Sequence, residues 1–345
     1  MGENKAAVSD NKKPRKINFG SDQDVRWCPG CGDYAILAQM KKVLPGLGIP
    51  REKTVFISGI GCSSRFPYYI NSYGFHTIHG RAPTVATGVK LGNPDLSVWI
   101  ITGDGDGLSI GGNHLIHLCR RNLNVNIILF NNQIYGLTKG QYSPTSPLGK
   151  VTKTTPYGSL DAPFNPTALA LAAGATFVAR TIDRDTKHMA KTFQQAAMHN
   201  GTSFVEVYQN CNIFNDGAFL ELTNSETKLD HVVYMEDGEP LVYGKTQRYA
   251  LELECMELAK KPLDENDEPT KAMIHDIKAP GEAYVGLLSR MNELPGMPTP
   301  VGIFRAIERK TYDDAFVSQM DEVTKKKGRG DLKQLLISGD TWKVD

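Results

Sequence analysis

Two short polar motifs stand at the ends of apolar runs, and their residue types suit a divalent cation held against phosphate. Gly103-Asp104-Gly105-Asp106-Gly107 directly follows the run Ser97–Thr102. After Gly105 come 25 residues, then Asn131-Asn132, which directly follow the run Val125–Phe130. If both runs are neighbouring strands of a parallel sheet, their C-terminal ends open onto one crevice, where such sheets bind ligands. Asp104 and Asn132 then face each other across it. One carboxylate and one amide oxygen, with a carbonyl, suit Mg²⁺, a hard ion that completes its shell from phosphate and water. The glycines let backbone N–H groups approach a phosphate without a Cβ in the way. The helix expected from Gly112 points its positive end toward the same anion. Either motif alone reads as a tight turn. Both together, at adjoining strand ends, favour the cradle.

The second group is sulfur. Cys28-Pro29-Gly30-Cys31 is a C-x-x-C pair just before the first helical stretch, Cys62 follows the run Thr54–Ser58, and Cys211 follows Ser203–Tyr208. Strand ends converge in space, and four thiolates satisfy a [4Fe–4S] cluster. Three other readings stay open. A thioredoxin-type redox pair lacks a strand–helix–strand unit before it. A Cys₄ zinc site lacks the second C-x-x-C knuckle. Cys62 and Cys211 also fit as small buried hydrophobes. Cys119, inside a helical stretch, and Cys255 read as structural.

Positioning these groups requires a sheet. Asp33–Leu44 places Ile36, Leu37, Met40, Val43 and Leu44 on one helical face, and Pro45 stops it. Thr54–Ser58, Ser97–Thr102, Val125–Phe130 and Ser203–Tyr208 lack polar alternation, as strands buried on both faces do. Gly112–Arg121, Pro166–Ala173 and Asp185–Asn200 read as helices between them. The class is α/β, a parallel sheet with helices on both faces. The expected division is a loose basic arm over 1–25, a binding domain over 26–225 and an extension over 226–345. Leu258–Glu268 and the basic run Lys325–Arg329 read as solvated loop and tail, with partner binding as the sharper alternative.

Composition excludes several classes. With 39 basic and 38 acidic residues in 345, the chain has no global field to hold a nucleic acid. Apolar residues make up 40% and charged ones 22%, which argues against disorder over most of the length. No stretch approaches the ~18–20 apolar residues of a membrane span. Lys5, Lys12, Lys13, Arg15 and Lys16 lead into no apolar segment, so a secretory signal is not expected and a cytoplasmic location is. Six cysteines are too few for a disulfide scaffold.

Gly-Asp-Gly, about 25 residues, then Asn-Asn resembles the thiamine diphosphate fingerprint. Together with Trp27-Cys-Pro-Gly-Cys-Gly, Gly59-Ile-Gly-Cys-Ser-Ser and His79-Gly-Arg-Ala, the chain resembles the β subunits of 2-oxoacid:ferredoxin oxidoreductases, most of all those acting on 2-oxoglutarate. The likeness covers about residues 26–220 and, more weakly, 225–310. It implies one [4Fe–4S] cluster on Cys28, Cys31, Cys62 and Cys211, and Mg²⁺ on Asp104, Asn132 and the carbonyl of Ile134. It implies that Ile60, Gly61, Cys62, Ser63, His79, Gly105, Asp106, Gly136 and Leu137 line thiamine diphosphate, with Arg65 and Lys139 near the substrate. The implied reaction is the coenzyme A-dependent, reversible oxidative decarboxylation of 2-oxoglutarate, with electrons passed through the cluster to ferredoxin. The family's activating glutamate comes from a partner α chain, so an α2β2 assembly is implied and this chain holds half an active site. Three alternatives remain: a pyruvate or broad 2-oxoacid preference, a non-oxidative thiamine diphosphate decarboxylase or carboligase, and a non-catalytic iron–sulfur or zinc adaptor.

Overall fold

The apolar runs assemble edge to edge into one dominant sheet. The computed structural model describes residues 17–264 and 267–344, so the basic residues Lys5, Lys12, Lys13, Arg15 and Lys16 lie outside the described residues. In chain order the strands are β1 (Thr54–Ser58), β2 (Tyr73–His76), β3 (Ser97–Gly103), β4 (Val125–Asn131), β5 (Phe177–Ile182), β6 (Thr202–Tyr208), β7 (Val232–Met235), β8 (Val242–Tyr243), β9 (Arg248–Glu254), β10 (Glu257–Leu263) and β11 (Thr299–Ala306). Eight of them form a sheet of order β2-β1-β3-β4-β6-β5-β11-β7. Every pairing from β2 to β5 is parallel, β11 runs antiparallel to β5, and β7 lies parallel to β11.

Helices cover both faces, which is why the strands read as continuous apolar runs. They are α1 (Asp33–Val43), α2 (Ala82–Gly92), α3 (Asp104–Leu108), α4 (Gly112–Arg121), α5 (Pro166–Ala172), α6 (Thr186–Met198), α7 (Leu220–Thr223), α8 (Lys228–His231), α9 (Glu282–Ser289), α10 (Tyr312–Lys327) and α11 (Leu332–Leu336). Val55, Ile57, Val98, Ile100 and Ile127 share a core with Ala86 of α2, Leu118 of α4, Leu171 of α5 and Leu288 of α9. The alternate residues Phe56, Trp99, Ile101, Ile128 and Phe130 share another with Met40 of α1 and Phe193 of α6. Each such side chain, fully buried, contributes about 1.5–3 kcal/mol. Among the described residues no helix is long and apolar enough to cross a membrane.

Two expectations change. The sheet does not end at residue 225, because β7 and β11 extend it beyond β5. Glu257–Leu263 is a strand of a small antiparallel sheet, β10-β9-β8, and not a solvated loop. Its charges escaped a strand reading because only Leu258, Leu263 and, partly, Ala259 and Lys261 turn inward. Lys325 to Lys327 do close an exposed helix.

Candidate functional site

Loops following β1, β3, β4 and β6 meet at the C-terminal edge of the sheet and build two adjoining cavities. Asp104, Gly105, Asp106, Asn132 and Ile134 line the first, with Ile60, Gly61 and Ser63 from the β1 loop and His79 before α2. Cys28, Cys31 and Cys211 line the second, with Arg65 and Lys139. Cys62, Asn132, Gly136 and Leu137 border both. The residues that the resemblance implies for cluster, Mg²⁺, thiamine diphosphate and substrate therefore all line one cavity or the other.

Asp104 opens α3 and is 2% exposed. Burial pushes its carboxyl up to about 6, against hydrogen bonds that favour the anion. Ser143 Oγ donates to its Oδ2 at 2.5 Å, and Thr145 Oγ1 lies 2.6 Å from the same oxygen and 2.9 Å from Asn131 Oδ1. Asn131 Nδ2 in turn donates to Glu206 Oε1 at 2.7 Å, and Arg180 Nε donates to Glu206 Oε2 at 2.6 Å. A buried ion pair thus anchors the Asp104 side of the cavity. The sequence offered little sign of these supports. Ser143-Pro144-Thr145-Ser146 reads as a turn, and Glu206 and Arg180 sit on different strands.

Asp106 serves another purpose. Its Oδ1 accepts from the N–H groups of Ile60 and Gly80 at 3.1 and 2.8 Å and from His79 Nδ1 at 2.8 Å, while Oδ2 accepts from Thr102 Oγ1 at 2.7 Å. Its carboxylate ties three loops together. The glycines also differ from expectation. A Cβ on Gly105 would lie 2.1 Å from the Tyr135 ring, whose hydroxyl donates to the Gly105 carbonyl at 3.1 Å, so the missing side chain makes room for tyrosine. The helix starting at Gly112 does not line the first cavity; α3 intervenes, and Gly112 borders a different hollow.

On the sulfur side, Trp27 Nε1 donates to the Cys62 carbonyl at 2.7 Å and fastens the C-x-x-C loop to the β1 loop. A methyl placed on Gly136 would stand 3.6 Å from both Cys62 Sγ and Cys211 Sγ, so these thiols flank one glycine. Burial, then Asp33, then Cys211 and Cys28 push the Cys62 thiol up to about 11. Burial and Asp33 raise Cys31 further, with Cys211 and Cys62 adding to it. Clustered thiols that resist ionisation become thiolates when a cationic group binds them. Among the described residues no three such side chains close round a point as a lone ion requires. The cavity measures about 160 Å³, far above the ~10–15 Å³ that one water needs on this measure. The donor set fits a group wider than one ion. Cys119 is buried in α4 and Cys255 is exposed in the β9–β10 turn, both away from the site.

Arg65 and Lys139 lie on the cysteine side. Arg65 Nη1 donates to the Arg26 carbonyl at 2.8 Å. Lys139 is exposed, with left-handed backbone at φ +81°, and its turn is held by Gly140 N donating to the Tyr135 carbonyl at 2.8 Å.

Residues 59–207 match the family model described as thiamine pyrophosphate enzyme, C-terminal TPP binding domain. The 2-oxoglutarate oxidoreductase subunit KorB of Mycobacterium tuberculosis is 52% identical over 99% of this chain and 91% of its own. The 2-oxoacid:ferredoxin oxidoreductase subunit beta of Saccharolobus solfataricus is 38% identical over 78% and 82%. A solved structure of 2-oxoglutarate:ferredoxin oxidoreductase from Magnetococcus marinus, with 2-oxoglutarate, coenzyme A and succinyl-CoA bound, aligns with a TM-score of 0.73 at 33% identity, covering 96% of this chain and 97% of that one. With a thiamine-binding domain on a parallel sheet and relatives matching along nearly its whole length, the chain belongs to the β-subunit family of 2-oxoacid:ferredoxin oxidoreductases.

Proposed function

We propose that this chain is the β subunit of a 2-oxoglutarate:ferredoxin oxidoreductase, catalysing coenzyme A-dependent oxidative decarboxylation and its reverse with electrons exchanged with ferredoxin. The observation that carries the reading is the wall that the cation-side and cysteine-side cavities share at Cys62 and Gly136. A non-oxidative thiamine enzyme has no use for four cysteines there.

Asp104, Asn132 and the Ile134 carbonyl would hold Mg²⁺, which would supply positive charge to a diphosphate group. Thiamine diphosphate, when bound, supplies the electron sink that decarboxylation of a 2-oxoacid requires. Ile60, Gly61, Ser63, His79 and Leu137 wall it from solvent. The contact of His79 Nδ1 with Asp106 Oδ1 at 2.8 Å fixes the orientation of the ring. Cys28, Cys31, Cys62 and Cys211 would hold the [4Fe–4S] cluster. Lys139 and Arg65 offer two positive groups to a dicarboxylate substrate. The activating glutamate would come from an α subunit in an α2β2 assembly. The extension over 226–345 would contact that partner: Val317, Met320 and Val323 form an exposed apolar row on α10, followed by Leu332, Leu335 and Leu336 on α11.

The test is metal and cofactor analysis of the assembled complex. Cys211→Ser is expected to lose iron, because serine suits soft iron–sulfur ligation poorly, while Cys119→Ser keeps it. Unchanged iron in the Cys211 variant would sink the four-ligand assignment.

A further inference from the structure

Gln209 is 1% exposed, lines the cysteine-side cavity immediately after β6, and touches Asn132, which borders both cavities. Its amide can be oriented without ambiguity. Nε2 lies 2.6 Å from the Asn210 carbonyl and 3.3 Å from Cys31 Sγ. A carbonyl only accepts, so the nitrogen must be on that side and must donate. Oε1 then faces the other way, where Asn132 Nδ2 donates to it at 2.9 Å. That contact fixes Asn132 in turn: its Nδ2 is taken, and its Oδ1 turns to the opposite side, accepting from Ile134 N at 3.2 Å with a second lone pair left over.

We infer that Gln209 is a positioning residue serving both centres at once, aiming the Asn132 amide oxygen at the cation and giving the sulfur of Cys31 an N–H donor. The inference rests on the cation and cluster assignments proposed above. Without Gln209 only the Ile134 N–H contact at 3.2 Å orients the Asn132 amide, and a flipped amide would present N–H₂, which repels a cation. The N–H···S contact acts on the cluster through its charge. Reduction adds negative charge to the cluster and its sulfurs, and a donor aimed at a ligand sulfur stabilises that state, raising the reduction potential. The side chain has little freedom to move away. A Cβ on Gly32 would lie 3.0 Å from Gln209 Cγ, and Gln209 N donates to the Asn131 carbonyl at 2.9 Å.

Two variants of the assembled complex separate the two roles. Gln209→Met keeps the volume and loses both contacts; Gln209→Glu keeps an acceptor for Asn132 and loses the donor to Cys31. The readouts are the cluster midpoint potential, from an EPR-monitored redox titration, and Mg²⁺-dependent thiamine diphosphate affinity by calorimetry. Gln209→Met is expected to move the potential to more negative values and to weaken cofactor binding about fivefold, the scale of one hydrogen bond. Gln209→Glu is expected to move the potential likewise and to leave cofactor affinity within about twofold of the parent. Gln209→Met with full iron and an unchanged potential would overturn the sulfur role. Equal loss of cofactor affinity in both variants would overturn the orienting role. A parent complex that contains no iron, or binds no thiamine diphosphate, would instead overturn the reading on which the inference rests.

Discussion

Lys139 occupies backbone space that a lysine seldom enters, with φ at +81°, and such strain gathers at functional loops. The loop holds its ammonium at the mouth of the cysteine-side cavity beside Leu137, which also borders the cation side. There it can pair with the distal carboxylate of 2-oxoglutarate, whereas a pyruvate methyl offers no partner. Lys139→Ala is expected to cut kcat/KM for 2-oxoglutarate at least about tenfold, on the order of 1.4 kcal/mol, and to affect pyruvate much less. Equal loss on all substrates, assayed with the assembled complex, would assign Lys139 to the fold. Asp104 gives the complementary case. Its charge is costly where it stands, since burial raises its pKa to about 6. Asp104→Asn removes that cost together with the proposed Mg²⁺ ligand. The chain is expected to keep its thermal midpoint while losing Mg²⁺-dependent thiamine diphosphate binding. Calorimetry and a melting curve on the same variant decide it; undiminished binding refutes the role.

The elements most open to reading were those whose stability is local. β1, β3, β4 and β6 are unbroken apolar or β-branched runs, and their expected ends fall within a residue of the observed ones. Three of the main-sheet strands that escaped notice show features that a central strand rarely has. Tyr73–His76 is exposed throughout, Phe177–Ile182 contains Arg180, and Thr299–Ala306 contains Pro300, Gly302 and Arg305. Arg180 is tolerated because Glu206, on the neighbouring strand and 26 positions later, neutralises it at 2.6 Å. Pairing at that separation leaves no mark in a local window. The site divides in the same way: the motifs that line the two cavities were legible, while Thr145, Glu206 and Gln209 depend on contacts made only after folding. Glu206→Gln is expected to lower stability by about 3–5 kcal/mol, because it strands the Arg180 charge in the core. Replacing both partners, as Arg180→Met with Glu206→Leu, should lose much less. Denaturant midpoints of the three proteins check this; a single variant as stable as the double would remove the ion pair from the account.

At the scale of the whole molecule, the segment after residue 225 joins the sheet through β7 and β11, and His275 ties the connection before α9 to β11. This ring is fully buried, lies between β10 and α9, and donates from Nε2 to the Ile303 carbonyl of β11 at 2.7 Å, with Nδ1 2.9 Å from the Tyr284 hydroxyl. Burial holds its pKa below the usual histidine range, although the backbone carbonyl of Ile303 and the charges of Asp237, Asp276 and Glu236 push upward. The unfolded chain takes up the proton near pH 6.5, before the folded chain does. Stability therefore falls as pH drops below about 6.5, toward the lowered folded value. His275→Gln is expected to melt lower at pH 7 and to show a shallower loss between pH 7 and 5; an unchanged slope would move the effect to His188 or His199, which are also lowered by burial. The insertion of β11 between β5 and β7 has a further consequence in time. Roughly a hundred residues leave the ribosome between the completion of β5 and the arrival of β11, which at ~5–20 residues per second is about 5–20 s with the flank of β5 bare. A nascent chain paused in that interval presents an open strand edge, the template on which chains aggregate. Cys28, Cys31, Cys62 and Cys211 have all emerged by then, so the four thiols of the cysteine-side cavity are accessible before the sheet is sealed.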